Sequence, residues 1–394
     1  MREALTALRG SRRRVRALVA VTTAVGLSLT VVACGDSEGG GDSGDGVDMK
    51  KNVSAGSVEK VGSVEDATDV TDFCGDKEIT VGYADGFGGN SWRKIVRAEL
   101  EDEASKCDNI KEVIYTDGKG DTQTAIANVK SLIAKNVDII VSYPDAGPAM
   151  NAVYRQATSA GIAVIPFAVG TAFPGEPGVD YLQIVTEDVE AKGMVKGEWM
   201  VKALGEEGGN IIFLGGQPGN PTSLAEHAGV AKAIEGTNVK LLNDKPIDTN
   251  WDPAQAQKVM TGLLTQYDDI DGVISDYGLG SIGAIRAYEQ AGRPLPPWAA
   301  EDGNDFACTW EKLKPTNPDF EIATDSGRTW LIRWALRKGL AQVNGVEDPE
   351  PSIVTLPLFE DSLDPEKQPK CEPSLPPDAL LSSQLTLDQL AGLF

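Results

Sequence analysis

The stretch that decides the fold runs from Val137 to Phe167 and reads VDIIVSYPDAGPAMNAVYRQATSAGIAVIPF. It begins with a nearly continuous apolar run, Val137–Ser142, and it ends with a second one, Ile162–Phe167. Each run has the length of a buried strand, and the residues between them suit a helix. Because the strands are apolar throughout rather than alternating, the stretch predicts a parallel strand–helix–strand unit that is covered on both faces of the sheet.

The same alternation continues along most of the chain. The clearest helix is Pro253–Thr265, whose apolar residues recur at helical spacing and whose first turn Asp252 can cap. Further strands are expected at Ile79–Tyr83, Glu112–Tyr115, Asn210–Leu214, Lys240–Leu242, Gly272–Ser275 and Glu321–Thr324. The pattern runs twice, over about 78–185 and about 186–303. It therefore predicts an α/β fold of two doubly wound parallel-sheet lobes, with ligands bound at the carboxyl ends of the strands.

Charge and the amino-terminal residues indicate export. The 394 residues include 36 lysines and arginines and 59 acidic residues, which gives a net charge of −23 at pH 7. This balance excludes nucleic acid as the main partner, because phosphate binding needs clustered cations. Six arginines precede the apolar run Ala17–Val32, and Cys34 follows it, as in the lipobox of bacterial lipoproteins. We expect a signal peptide over 1–33, a lipid on Cys34 at the outer face of the cell membrane, a flexible Gly/Asp-rich tether over 34–76, and a mature charge near −28.

The remaining four cysteines are Cys74, Cys107, Cys308 and Cys371. An even number in an exported chain favours two disulfides over a metal site, and the sequence has no CxxC motif or Cys/His cluster. Four cysteines allow three pairings. We favour Cys74 with Cys107 and Cys308 with Cys371, because Cys107 ends a helix that runs back toward the start of the strand that Cys74 precedes.

Polar and aromatic side chains follow the predicted strands at the points where the strands end. The candidate ligand-binding residues are Asp85, Phe87, Asn90, Trp92 and Arg93 after the first strand, Asp145 after the third, Phe167 after the fourth, Trp251 before the capped helix, Asp276 after the strand that contains Val273 and Ile274, and Asp302 and Asp325 in later turns. Aromatic faces supply stacking area, and carboxylates accept hydrogen bonds from hydroxyls. Together they predict a site for a small polar ligand with an apolar face, such as a sugar.

In their order and spacing, several segments resemble a known family, the sugar-binding lipoproteins of ABC importers in the ribose/galactose-type (type I) class of periplasmic binding proteins. The segments are ITVGYADGFGGNSWRK from Ile79, the quoted stretch, DTNWDPAQAQKVMTGLL from Asp248, DGVISDYGLGSIGAIRAYEQAG from Asp271 and AEDGND from Ala300. The resemblance implies a hinge of three crossovers, closure around a ligand, and delivery to a membrane permease with its ATPase. We expect a monomer with no cofactor.

The resemblance also assigns roles to residues. Asn90 and Trp92, with Arg93 beside them, match an asparagine and a stacking aromatic, and Trp251 matches a second aromatic, so that the two tryptophans would sandwich the ligand ring. Asp276 matches an asparagine or aspartate of the family, Asp302 matches the acid of an FDG-like turn, and Asp325 lies near a polar residue at the last crossover between the lobes. We expect the amino-terminal lobe at 77–185 plus about 304–322, the carboxyl-terminal lobe at 186–303 plus about 323–360, and a tail over 361–394.

Two departures from the family pattern bear on the ligand. Ala168 and Val169 stand where ribose-type members often carry an Asp-Arg pair, and Glu226 and His227 stand where those members carry an arginine. The chain lacks these cations but keeps five aspartates among the candidate ligand-binding residues, namely Asp85, Asp145, Asp276, Asp302 and Asp325. The sequence therefore predicts an acidic cleft. We therefore expect a neutral sugar or polyol, with a cationic or amino-substituted ligand as the alternative.

Other functions have weaker support in the sequence. Gly278–Gly283 forms a GxGxxG pattern after a strand, with Asp302 about twenty residues on, which is typical of an NAD(P)-dependent oxidoreductase. The motif comes late in the chain, and Asp276 would lie close to the pyrophosphate. His227 is the only histidine, so a Ser-His-Asp relay or a multi-histidine metal site has one possible member. We expect a binding protein rather than an enzyme; a ligand-sensing lipoprotein without transport is a further alternative.

Overall fold

A computed structural model describes residues 59–394. Its strands are β1 (Val61–Ser63), β2 (Ile79–Asp85), β3 (Ile110–Asp117), β4 (Ile139–Tyr143), β5 (Ala163–Pro166), β6 (Thr186–Glu187), β7 (Gly209–Gly215), β8 (Val239–Leu241), β9 (Ile247–Asp248), β10 (Gly272–Ser275), β11 (Trp298–Glu301), β12 (Ile322–Asp325), β13 (Ile353–Thr355) and β14 (Leu358–Asp361). Its α-helices are α1 (Ser91–Ala104), α2 (Thr122–Ala134), α3 (Asn151–Ser159), α4 (Val189–Leu204), α5 (Pro221–Ala233), α6 (Pro253–Gln266), α7 (Gly278–Ala291), α8 (Asn304–Leu313), α9 (Leu331–Asn344) and α10 (Leu387–Ala391). Among these described residues, no helix has the length and apolar character needed to span a membrane.

The amino-terminal lobe is built on four parallel strands in the order β3-β2-β4-β5. The stretch quoted above supplies β4, α3 and β5, and Ile139 of β4 pairs with Ala163 of β5. Along β4, Ile139 and Val141 contribute to one apolar cluster, whereas Ile140 contributes to another. Both faces of the sheet are therefore buried, which confirms the α/β fold that the apolar runs predict.

The carboxyl-terminal lobe has a sheet in the order β8-β7-β10-β11-β12-β14, with β9 also paired to β7. Only β14, in this sheet, is antiparallel to its neighbour. The predicted helix is α6, and the Asp252 side chain caps it by accepting a hydrogen bond from the backbone N–H of Gln255 at 2.7 Å. Met260 of α6 is buried in the core of this lobe with Ile212 and Val273.

A third, small sheet of parallel strands, β1-β13-β6, lies where the chain passes between the lobes. The chain first crosses after β5 by way of β6, and it returns after β12 into α9. It crosses again after α9 by way of β13 and enters β14. The expected hinge of three segments is confirmed.

Two of the expected lobe boundaries are wrong. Residues 304–322 belong to the carboxyl-terminal lobe, because Phe306 of α8 lies in its core and β12 pairs with β11. Residues 331–344, which form α9, pack on the amino-terminal sheet instead, with Leu336 and Leu340 in its core. The second crossover therefore comes after β12 and not before it. Strand β12 pairs with β11 on one side and with β14 on the other, and local sequence does not reveal either partner.

The expected tether over 34–76 is also too long. Strand β1 pairs with β13, and Val70 and Phe73 are buried in the core of the amino-terminal lobe. The backbone N–H and the hydroxyl of Thr68 both donate to Glu350. The two buried apolar side chains stand three residues apart on a short 3₁₀ helix. The rest of the expected tether, the signal peptide and Cys34 lie outside the described residues.

The structure brings together the two cysteine pairs that we favoured. The Cα atoms of Cys74 and Cys107 are 5.4 Å apart, and those of Cys308 and Cys371 are 4.5 Å apart, which are separations that a disulfide spans. The second pair joins the tail to α8. Beyond it, Leu380 and Leu385 of the tail pack against α1 of the other lobe.

Alanine substitutions at two glycines test the packing of α9 on the amino-terminal sheet. A Cβ at Gly339 would lie 2.5 Å from Cγ2 of Ile139, whereas a Cβ at Gly262 of α6 would meet nothing within 4 Å. We expect Gly339→Ala to lower the free energy of unfolding by about 1 to 3 kcal/mol through overpacking. Gly262→Ala should raise it by about 0.5 to 1 kcal/mol through helix propensity. Urea unfolding curves measure both, and equal stability of the two variants would contradict this packing.

Candidate ligand-binding site

A buried arginine lies at the carboxyl edge of the amino-terminal sheet. Arg93 is in the first turn of α1, where the Asn90 side chain caps the helix by accepting a hydrogen bond from the Arg93 backbone N–H at 3.0 Å. The guanidinium donates to Asp85 at 2.8 Å and to Asp145 at 2.7 Å. It also lies 3.7 Å from the centre of the Tyr143 ring. Because Asp85 ends β2 and Asp145 follows β4, the fold brings four of the predicted residues together here.

Burial and charge oppose each other in this group. Loss of water raises the pKa of Asp85 and of Asp145, and the Arg93 guanidinium acts in the opposite direction on both. Burial lowers the pKa of Arg93, but Tyr143 and the two carboxylates outweigh it and hold that pKa above its usual value. A guanidinium held by two carboxylates in fixed geometry makes this edge of the sheet polar and rigid.

Trp92 lies beside Arg93 and reaches the second crossover. Its indole N–H donates to the backbone carbonyl of Gly327 at 2.7 Å, and its ring contacts Tyr143 edge-on with 5.3 Å between centres. The guanidinium of Arg328 is 5.8 Å from the Trp92 ring. That guanidinium forms ion pairs with Glu187 of β6, at 2.6 Å, and with Glu301 of β11. Arg328 thereby joins the first crossover to the carboxyl-terminal sheet next to the predicted stacking aromatic.

In the carboxyl-terminal lobe, the carboxyl edge of the sheet is organised around Trp251. Asn250 and Trp251 both have φ of +55°, a left-handed conformation that costs energy for residues other than glycine. The indole N–H donates to Asp276 at 3.2 Å, and the Ser223 hydroxyl donates to the other oxygen of that carboxylate. A Cβ at Gly216 would lie 2.0 Å from the Trp251 ring, so the ring rests directly on the backbone of Gly216. This strained turn fixes the aromatic beside a buried acid.

A buried network of lysines and carboxylates lies behind Trp251. Lys192 pairs with Glu226 at 2.9 Å and with Asp325 at 3.3 Å, and Lys196 pairs with the same two acids at 2.7 and 2.9 Å. All four side chains are at most 1% exposed. A Cβ at Gly193 would lie 2.0 Å from the Glu226 carbonyl oxygen, so this glycine allows α4 and α5 to approach closely enough for these pairs to form.

Other predicted site residues have different surroundings. Phe167 is fully buried in the core of the amino-terminal lobe, where it contacts Tyr83 and Tyr143, and Phe87 is 46% exposed on its loop. The carboxylate of Asp302 accepts hydrogen bonds from the backbone of Gly327 and from the backbone and hydroxyl of Ser382 in the tail. Asp325 is paired with lysines rather than open to the cleft.

Cations moderate the acidity expected of the cleft. Sequence reasoning missed three of them, Lys192, Lys196 and Arg328, which pair with Glu226, Asp325, Glu187 and Glu301. The two lysines did leave a signal, because they stand four residues apart on α4 and so share one helix face. Arg328 left no such signal in the sequence, because its partners Glu187 and Glu301 lie far from it along the chain.

The structure explains the glycine motif and the histidine without a nucleotide. A Cβ at Gly278 would lie 2.3 Å from the Glu301 carbonyl oxygen, and one at Gly283 would lie 1.7 Å from that of Pro253. These glycines therefore allow α7 to pack against neighbouring backbone. The Nε2 atom of His227 is 3.0 Å from the Asn243 carbonyl oxygen, and the ring packs edge-on against Phe213. The oxidoreductase alternative has no support here.

The chain belongs to the periplasmic binding protein family, because residues 82–310, more than half of its length, match the family model described as a periplasmic binding protein domain. The galactofuranose-binding protein of Escherichia coli strain K12 is 25% identical over 218 residues, which are 54% of this chain and 67% of that protein. The xylitol-binding protein of Mycolicibacterium smegmatis is 27% identical over 205 residues, which are 51% of this chain and 56% of that protein. The chain thus spans about half to two thirds of the length of these relatives.

Solved structures confirm the fold. The periplasmic binding protein component of the arabinose ABC transporter from Shewanella sp. ANA-3, bound to α- and β-L-arabinofuranose, superposes with a TM-score of 0.60 at 21% identity. The superposition covers 71% of this chain and 91% of that one. The two lobes and their three-segment hinge are those of a type I periplasmic binding protein.

The buried carboxyl of Asp276 predicts a pH dependence of stability. Loss of water, reinforced by Glu226, raises its pKa to about 7, whereas an unfolded aspartate titrates near 3.8. The native chain therefore holds the extra proton between these values, and the stability that this group contributes falls as pH rises from about 4 to about 7. In Asp276→Asn, the amide can donate to Ser223 and accept from Trp251, so we expect that part of the fall to disappear.

Urea unfolding across this pH range measures the effect. The difference in free energy of unfolding between Asp276→Asn and the parent should shift in favour of the variant as pH rises. Parallel pH profiles for the two proteins would show that Asp276 titrates normally.

Proposed function

We propose that this chain is the extracytoplasmic solute-binding component of an ABC import system, and that it binds a small neutral sugar or polyol between its lobes. One observation carries the proposal: each sheet presents at its carboxyl edge an indole beside a buried charged or titratable group. Trp92 with Arg93 lies on one side of the three-segment hinge, and Trp251 with Asp276 lies on the other. Hinge rotation would bring the two tryptophans onto opposite faces of a ligand ring.

Charge pairing favours a neutral ligand. Arg93, Arg328, Lys192 and Lys196 each have carboxylate partners. An anionic ligand would have to displace one of these partners or add an unpaired charge to a buried site, and an uncompensated buried charge costs several kcal/mol. Ligand hydroxyls can instead donate to free lone pairs of the carboxylates and accept from guanidinium N–H groups. A pKa near 7 at Asp276 also weakens the attraction for a cationic or amino-substituted ligand.

Relatives support this ligand class. The two relatives described above are named for galactofuranose and for xylitol, and the superposed structure contains arabinofuranose. These ligands are uncharged and rich in hydroxyls, like the ligand that the paired charges favour.

The function that we propose is binding without covalent chemistry. The aromatic side chains supply apolar contact area, the paired carboxylates and guanidinium orient the hydroxyls, and lobe closure removes water from both. The closed lobes then present the ligand to a permease with its ATPase, and the chain acts as a monomer.

We also propose the chemistry of anchoring. A lipid on Cys34 holds the protein at the outer face of the membrane after removal of residues 1–33. In that oxidising compartment, Cys74 with Cys107 and Cys308 with Cys371 form disulfides.

Thermal-shift titration with a panel of sugars, polyols, polyamines and sugar acids tests the ligand class. We expect a neutral sugar or polyol to raise the melting temperature, because it binds only the native state. In Trp251→Ala we expect the affinity for that ligand to fall about tenfold or more, through loss of stacking and of the indole hydrogen bond. Trp251→Phe keeps the stacking face and should lose less. Stabilisation by sugar acids or polyamines alone would contradict the proposal.

Fractionation tests the anchor. With Cys34→Ser we expect the protein to leave the membrane fraction, because the thiol that would carry the lipid is gone. Val32→Ala, which keeps the cysteine, should remain with the membrane. Recovery of the serine variant in the membrane fraction would rule out the lipid.

A further inference from the structure

Residues 371–394 form a segment that we call the strap, and one end of it is fixed to the carboxyl-terminal lobe. Cys371 is paired with Cys308 of α8. The Asn304 side chain holds the next residues, because it donates to the carbonyls of Glu372 and Leu375 at 2.9 and 3.0 Å and accepts from the Glu372 N–H at 2.9 Å. A covalent link and a three-point amide contact leave this end little freedom relative to α8.

The other end of the strap docks on α1 of the amino-terminal lobe. Leu380, Leu385 and Leu390 form a buried cluster with Ile95 of α1. The backbone N–H of Gln384 donates to Glu99 at 2.7 Å, and the side chain of Gln389 donates to Asp102 at 2.7 Å. Apolar burial with directional hydrogen bonds defines one docked position for the strap on this helix.

The middle of the strap contacts the hinge. Ser382 donates to Asp302 from its backbone N–H and its hydroxyl, and that hydroxyl accepts from the backbone N–H of Gly327 at 2.9 Å. A Cβ at Gly327 would lie 2.7 Å from Cδ1 of Leu380, so the strap rests directly on the second crossover. The Gly327 carbonyl holds the Trp92 indole, as described above. The strap is thus one residue removed from a stacking aromatic of the candidate site.

We propose that the strap is a brace that limits how far the two lobes open. The three crossovers permit rotation, because each is a single segment of chain. A fourth connection, fixed to one lobe and docked on the other, must undock or stretch before the cleft widens. The consequence for ligand capture rests on the proposed function: a brace that restricts open states raises the fraction of binding-competent molecules, and this raises the apparent affinity.

Distances between the lobes test the brace without any ligand. Spin labels carried by noncanonical residues replace Lys130 of α2 and Lys258 of α6, which are both exposed and lie on different lobes, so that the native cysteines stay intact. Pulsed dipolar spectroscopy of the full chain then gives the distribution of interlobe distances. In Leu385→Ser with Leu390→Ser, we expect the distribution to broaden and to shift to longer distances. Leu387→Ser, in the same helix as Leu390 but 51% exposed, should match the parent.

Hydrogen exchange of residues 384–394 reports whether the strap has been released. An unchanged distance distribution in a variant whose strap exchanges faster than the parent's would overturn the brace. If the double leucine variant does not fold, the variant Cys308→Ser with Cys371→Ser releases the end of the strap that is fixed to α8. This variant should broaden the same distance distribution, and an unchanged distribution would overturn the brace. These readouts involve no ligand. A chain that binds no sugar but opens on strap release would therefore refute the proposed function and leave the brace standing.

Discussion

The ion pairs of Arg328 are the interaction on which the arrangement of the lobes depends. Its guanidinium lies between Glu187 in the first crossover and Glu301 at the end of β11, and its backbone belongs to the second crossover. Arg328 has φ of +52°, so the chain accepts an unfavourable conformation to place this side chain. Without the arginine, two carboxylates would remain buried without their cation, which is among the costliest losses in a protein interior. The Arg328 guanidinium therefore interacts with the hinge, with the sheet of the carboxyl-terminal lobe and with the Trp92 ring.

Ion pairs also fix other side chains of the candidate site. The net charge is −23, yet four of the acids at the candidate site have a cation partner. Arg93 joins Asp85 to Asp145, and two lysines hold Glu226 and Asp325. Such pairs contribute little net stability, yet they fix side chains in place. In the site that we propose, side chains fixed in this way would select a ligand by the positions of its hydroxyls.

Much of the fold could be predicted because its signals are local. Apolar runs predicted the strands. The Asp252 cap and the apolar stripe of the residues after it predicted α6. Asp85, Arg93 and Asp145 could be grouped because the carboxyl ends of parallel strands meet at one edge. Most of the failures were non-local, although Lys192 and Lys196 share one face of α4 and were missed despite that local signal. The assignment of α9 depends on which strand β12 pairs with, the docking of Val70 and Phe73 depends on a core formed elsewhere, and the partners of Arg328 are distant in sequence. Phe167 stands at the carboxyl end of a strand, where ligand contacts are expected, yet its side chain is buried in the core of the amino-terminal lobe.

The strap extends this picture beyond the family's shared region, since residues 371–394 lie outside the matched range of 82–310. A lobe-closing protein with an additional link between its lobes has less conformational freedom to lose when it closes.

Binding of a neutral, hydroxyl-rich molecule between Trp92 and Trp251 can be checked by mass spectrometry of the small molecule that is released when the purified full chain is denatured. We expect one neutral sugar or polyol per chain, and none from the Trp251→Ala variant. A nicotinamide dinucleotide, a charged metabolite, or the same sugar retained equally by that variant would contradict it.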